Sequence, residues 1–412
     1  MDARLKILVF LLLFSFSGAA FSQTARPSHT LSLSGGVTVP NSSQYDYIGA
    51  FDLGVDYTIE WRMNGPQYWK RFWKQPLFGL QFEYLHTNNP IAGQRFGAAF
   101  SMRNDIWNSR SSNQAIKQSG KQSHTHSLYW FLDAGGSFYT NPFERTPNEQ
   151  NDFIGSYVNC LFNLGLGYSV SFKNNSALLI NARFSHSSNG YVKVPNHGLN
   201  YLLMSVGYRM PQKIRFQDTL SSSASFDFGD NIVRRVMTSE FSSSTHSFMS
   251  HRIWLSFAPA IVHIRWEPPP QDYYFAYTGQ IGYMFYPTST LGFGLNLDVM
   301  YNYSHLYIVK TYYKVKPTLP YVGAAASIEP RWGPLSIRLS AGYYLVKSPA
   351  ITIPIYERLG LFYHFGKSLS QFAGVSIKAH AAHADYIEWH YGVELFIHQP
   401  KRCVPAQGEV IL

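Results

Sequence analysis

The sequence predicts an all-β chain, a transmembrane antiparallel β-barrel of about sixteen strands arranged in two halves of eight. Three observations point there. Aromatic residues make up 17 % of the chain and charged residues only 14 %, although mean hydropathy is slightly below zero. Barrel strands alternate lipid-facing apolar with lumen-facing polar residues and add aromatic girdles, so their average hydropathy is unremarkable. Period-two alternation broken by turn residues also recurs along most of the length. Finally, after the N-terminus no segment supplies the ~20 apolar residues of a membrane helix, and no amphipathic helical pattern competes. The rival fold is a soluble sandwich or propeller, and the aromatic excess argues against it.

Residues 1–22 read as a signal peptide: Arg4 and Lys6, an apolar run from Ile7 to Phe16, then small residues ending at Ala20-Phe21-Ser22. Gln23 follows the expected cut, so no lipoprotein cysteine is present there. The first barrel half, 23–210, holds candidate strands at 28–40, 46–63, 75–88, 94–107, 124–140, 156–172, 176–188 and 199–210. A serine-rich linker spans 211–247, with Ser221, Ser222, Ser223 and Ser225. The second half, 248–412, holds candidates at 249–264, 273–285, 290–304, 321–329, 334–346, 356–365, 371–382 and 385–397. Short connections are usual on the periplasmic side of such barrels. The long linker therefore favours two small barrels over one large one, with the second half expected to be non-catalytic. A faint repeat supports two halves, because Leu164-Gly165-Leu166-Gly167-Tyr168 recurs as Leu359-Gly360-Leu361-Phe362-Tyr363.

Cys160 and Cys403 make neither a disulfide framework nor a metal cluster. The net charge of +10 is scattered rather than clustered. In an outer membrane its acidic counterpart is lipid phosphate, not nucleic acid. Oligomeric state is not legible.

Chemistry concentrates in the hairpin Arg183 to Asn200. Side chains alternate faces along a strand, so Leu178, Ile180, Ala182 and Phe184 share a face with His186 and Ser188. Asn181, Arg183, Ser185 and Ser187 take the other, polar face, which is expected to line the interior. His186 and Ser188 are then lipid-facing, where polar side chains are expensive. A neighbouring base activates a serine, and the base needs an orienting partner. Asn200 shares parity with Leu202, Met204, Val206 and Tyr208 and can return beside His186. Gly190, Pro195 and Gly198 shape the loop between, where backbone amides, Asn189 or Asn196 can bind an oxyanion. With 15 histidines in the chain, one His-x-Ser is expected by chance, yet this is the sole instance.

These residues resemble a known family. The segment His186-x-Ser188-Asn189, then Pro195-Asn196-x-Gly198-Leu199, is similar to the active-site hairpin of the PagL-type lipid A 3-O-deacylases. The resemblance covers about 23 to 210, with a weaker echo at Asn148 to Asn159 around Gly155-Ser156. It implies an eight-stranded outer-membrane barrel whose catalytic histidine and serine face the bilayer, in the last hairpin. It further implies a serine esterase acting on lipid A in the outer membrane of a Gram-negative bacterium, with its site towards the outer leaflet. One residue departs, because the family places an acid where Asn200 stands. A Ser-His-Asn set is instead similar to outer-membrane phospholipase A, a twelve-stranded, calcium-dependent enzyme whose calcium-binding pattern is not evident here. The expected substrate is lipopolysaccharide, with phospholipid as the alternative. No cofactor is expected, and calcium enters only under that alternative. A non-catalytic barrel, either a pore or a surface-binding protein, is the remaining reading.

Other signals read as structural. His124-Thr-His126 is a girdle or solvent pair; His380, His383 and Asp385 read as surface polar residues; Pro268-Pro269-Pro270 is a turn. Gly165-x-Gly167 sits inside a strand and lacks the helix that phosphate binding requires.

Overall fold

A computed structural model describes residues 27–398 apart from 40–50, 65–66, 110–123, 212–248, 265–272, 315, 317–318, 350, 367–369 and 382. The expected signal peptide, linker and Pro268 to Pro270 turn lie outside the described residues, as does Cys403.

Two closed antiparallel barrels of eight strands make up the fold, each strand paired with its sequence neighbours and the last with the first. The first contains β1 (Ser28–Val39), β2 (Phe51–Arg62), β3 (Leu77–His86) and β4 (Arg95–Asn108). It continues with β5 (Thr125–Tyr139), β6 (Val158–Ser171), β7 (Ala177–Ser188) and β8 (Leu199–Arg209), and β1 pairs with β8 to close it. The second runs from β9 (Ser250–His263) through β10 (Tyr273–Thr288), β11 (Leu291–Asn302) and β12 (Tyr321–Trp332). Then come β13 (Leu335–Val346), β14 (Ile355–Phe365), β15 (Gln371–His380) and β16 (His383–His398), which pairs with β9. Among the described residues, short helices sit in connections: α1 (Tyr68–Phe72), and α2 (Tyr303–Ile308) continued by a π-helical turn, Val309–Tyr313.

Closure is what permits strands inside a bilayer, because every backbone group finds a partner. Burial follows the pleat. On β8, Leu202, Met204, Val206 and Tyr208 are exposed, while Tyr201, Leu203 and Ser205 are buried between them. Eight-stranded barrels have interiors just wide enough for side chains to fill, and here the filling is ionic. In the first lumen Arg183 pairs with Asp56 at 2.8 Å, Arg95 with Glu83 at 2.9 Å and Arg103 with Glu60 at 3.1 Å. In the second, Arg358 bridges Asp298 at 2.5 Å and Glu388 at 2.7 Å, and Arg338 meets Glu329 at 2.6 Å.

The faint repeat acquires a place in the topology. Leu164 to Tyr168 lies in β6 and Leu359 to Tyr363 in β14, each the sixth strand of its barrel. Inward Arg183 on β7 and inward Lys378 on β15 then correspond, and both are buried. The hairpins that follow differ, since residues 189–198 join β7 to β8 whereas only 381 and 382 join β15 to β16.

The barrels touch at the end where β1 and β9 begin. Trp73, just after α1, stacks on Trp332 with ring centroids 4.9 Å apart, and its indole Nε1 donates to the Arg331 carbonyl at 2.9 Å.

Candidate active site

The last hairpin of the first barrel carries the candidate groups, and their facing follows from strand parity. Even-numbered Leu178, Ile180 and Phe184 are exposed on the outer wall. Odd-numbered Ser185 and Ser187 are buried in the lumen, where Ser187 Oγ accepts from Arg95 Nη1 at 3.3 Å. His186 and Ser188 therefore continue the outward row, His186 half-buried and Ser188 4 % exposed. Register places Asn200 of β8 directly opposite His186. On the other flank, Phe162 and Cys160 of β6 oppose His186 and Ser188.

His186 Nδ1 and Asn200 Oδ1 are 2.6 Å apart. An amide oxygen only accepts, so this bond puts the proton on Nδ1 and leaves Nε2 with its lone pair, the form a general base requires. Gly198 borders both the histidine and the serine. It has φ +73°, and a Cβ built there would stand 2.8 Å from His186 Cε1 and 3.3 Å from Ser188 Cβ. Any side chain at 198 would intrude on both groups at once.

The loop separates the two asparagines that the sequence could not rank. Asn189 is committed to structure, its Nδ2 donating to Ser156 Oγ at 3.0 Å and to the Lys193 carbonyl at 2.7 Å. Its backbone N–H donates to Asn196 Oδ1 at 2.9 Å. Asn196 is thereby oriented one residue from Ser188, with its buried Nδ2 lacking a hydrogen-bond partner. A buried, unmatched donor is costly, and a bound hydrogen-bond acceptor would satisfy it. Gly190 turns the chain at φ +60°.

Sequence reading missed how the loop is held. The β5–β6 connection braces it through backbone bonds, His197 N–H to the Asp152 carbonyl at 3.2 Å and Gly198 N–H to Phe153 at 3.0 Å. The Gly155-Ser156 echo belongs to this brace, since a Cβ on Gly155 would lie 2.3 Å from the Pro195 carbonyl oxygen. Beneath it, Tyr139, Phe153, Ile154, Leu199, Tyr201 and Leu203 form an apolar cluster. That packing sets the hairpin on a rigid floor.

Elsewhere, one expectation is corrected. Asp385 and His380 are not simple surface residues, because Asp385 Oδ2 pairs with the buried Lys378 ammonium at 2.5 Å and with His380 Nδ1 at 3.3 Å. A register shift between Lys378 and Ala379 changes which residues share a face, as a bulge does. His383 is exposed. His126 hydrogen-bonds Tyr168 on the outer wall at 2.7 Å, as a girdle residue. Glu329, His364 and Glu394 converge in the second lumen closely enough to hold an ion. Arg331, Arg338 and Arg252 already pair with those carboxylates, so a cation there would meet three guanidinium groups.

Comparison with known proteins matches both barrels. The model of the lipid A 3-O-deacylase (PagL) family matches residues 54–209, and that of the acyloxyacyl hydrolase C-terminal domain matches 250–398. Among solved structures, the outer-membrane enzyme PagL is 16 % identical, over 44 % of this chain and 99 % of its own, with a TM-score of 0.29. The siderophore receptor PirA from Acinetobacter baumannii is 9 % identical, over 86 % of this chain and 52 % of its own, with a TM-score of 0.23. No curated protein sequence matches. Two family models, one on each barrel, place the chain among outer-membrane hydrolases of lipid acyl esters. The first barrel thus carries the match to the lipid A 3-O-deacylase (PagL) model and the second the match to the acyloxyacyl hydrolase C-terminal domain, and the chain is an outer-membrane lipid A deacylase.

Proposed function

We propose that deacylation proceeds by serine-dependent acyl transfer to water on the outer wall of the first barrel. Ser188 Oγ attacks the ester carbonyl while His186 Nε2 takes its proton. Collapse of the tetrahedral intermediate expels the sugar alkoxide, which receives that proton. A water molecule, deprotonated by His186, then cleaves the acyl-enzyme and releases the fatty acid. Asn200 holds the imidazole tautomer, and Asn196 Nδ2, with loop amides, binds the oxyanion. Every step draws on side chains of this barrel and water.

The observation that carries this reading is the 2.6 Å bond between His186 Nδ1 and Asn200 Oδ1, made on the lipid-facing side. A base oriented there serves no lumen chemistry. With the N-terminus in the periplasm, the β7–β8 connection falls on the cell-surface side, where lipopolysaccharide resides. Outward Ile180, Phe184 and Phe162 then line the path of an acyl chain.

The test is mass spectrometry of lipid A and phospholipids from cells expressing wild-type or Ser188→Ala protein. A 3-hydroxy fatty acid released by wild type and not by the variant is expected. Continued release by the variant contradicts the assignment. Asn200 in place of an acid favours a phospholipase as the second reading, and lysophospholipid as the product would establish it.

A further inference from the structure

The second barrel meets the first at the catalytic loop. On β9 the outward row runs through exposed Ile253, Leu255, Phe257 and Ile261, and on neighbouring β16 through Trp389, Tyr391, Leu395 and Ile397. Where these rows reach His263 and Ile387, exposure falls and both side chains are half-buried. Residues 190–194 of the first barrel cover them. His263 N–H donates to the Tyr191 carbonyl at 3.3 Å, and Val194 N–H donates to His263 Nδ1 at 3.0 Å. Gly190 lies so close that a Cβ there would stand 2.4 Å from Ile387 Cγ1. The Tyr191 phenol is pushed above its ordinary pKa by burial and, second, by the Asp385 carboxylate, which fits docking against the mouth of the second barrel.

A histidine on a lipid-facing row is costly unless a partner takes its polar atoms. Here the partner is the loop that links Ser188 to Asn196. Adding two backbone bonds to its middle narrows its motion, and small displacements of oxyanion donors are expensive in rate.

We propose that the C-terminal barrel is part of the catalytic apparatus: His263, backed by Ile387, is a positioning residue that fixes the loop carrying Asn196 beside Ser188. The proposal rests on Ser188 being the nucleophile. It assigns the second barrel a task that its own two-residue hairpin, lacking a serine–histidine pair, does not suggest.

Full-length protein in detergent micelles, with purified lipid A as substrate, provides the test. His263→Leu keeps bulk but removes the acceptor, whereas His263→Asn keeps an acceptor near the Nδ1 position. One hydrogen bond of this kind corresponds to a roughly three- to tenfold change. The expected result is a fall of that size in kcat for His263→Leu with KM unchanged, and near-complete recovery in His263→Asn. Wild-type kcat in His263→Leu, or equal impairment in both variants, overturns the proposal. If His263→Leu does not fold, Ile387→Ala takes its place, with lowered kcat expected and wild-type kcat overturning it. Ser188→Ala is assayed alongside. Activity in that variant removes the underlying nucleophile reading, whereas an inactive Ser188→Ala beside an unimpaired His263→Leu removes the positioning role alone.

Discussion

Asn200 faces His186 across the β7–β8 pair, and their side chains meet on the outer wall with Nδ1 and Oδ1 2.6 Å apart. An amide cannot offer the charge of a carboxylate, but it offers the same acceptor geometry. The prediction is that Asn200→Ala lowers kcat roughly ten- to hundredfold, the range for losing a hydrogen bond to a group that becomes charged. Asn200→Asp keeps the acceptor and is expected to retain activity near wild type. Equal collapse of both variants in a fatty-acid release assay would show that orientation is not what position 200 supplies.

Asn196 holds the loop with one atom and leaves the other unmatched, accepting from Asn189 N–H at 2.9 Å while Nδ2 stays buried without a partner. Asn196→Asp keeps the acceptor and deletes the donor. Loss of one oxyanion donor costs about 10²–10³ in kcat, and KM is expected to stay within about twofold because ground-state binding is untouched. A change in KM alone would assign Asn196 to substrate binding instead.

Gly198 is required by geometry as well as backbone angle. At φ +73° a side chain is strained, and a Cβ would stand 2.8 Å from His186 Cε1. Gly198→Ala is expected to remove most activity while the barrel still migrates as a folded species on unheated gels. Full activity would mean that the imidazole can shift without consequence.

Glu83 lies between two lumen guanidiniums, 2.9 Å from Arg95 and 3.5 Å from Arg183. Removing one partner of a buried ionic group costs about 3–5 kcal/mol. Glu83→Gln is therefore expected to lower the thermal or urea midpoint of the first barrel without altering the outward site. An unchanged midpoint would show that the lumen charges are screened by water.

Much of this was legible in the sequence because a barrel wall has a simple period. Every outward apolar residue of β7 and β8 announces the face of the next, and that placed His186, Ser188 and Asn200 on the outer wall. Parity gives His380, His383 and Asp385 no common face, and it is the register shift at Lys378 and Ala379 that sets Asp385 against His380. Loop chemistry was harder. Asn189 and Asn196 look alike in a sequence, and only folding reveals that Ser156 and the Lys193 carbonyl occupy Asn189. His263 lies 69 residues from Val194, and no local pattern signals such a contact.

The central claim is that the outward serine performs the attack, with its inward neighbour Ser187 tied to Arg95. The direct measurement is peptide mapping by mass spectrometry after treating the full-length protein with an acyl-chain fluorophosphonate. The account predicts an adduct on Ser188, lost in His186→Ala and unaffected in Ser187→Ala. An adduct on Ser187, or labelling of Ser188 that persists at full rate without His186, would contradict it.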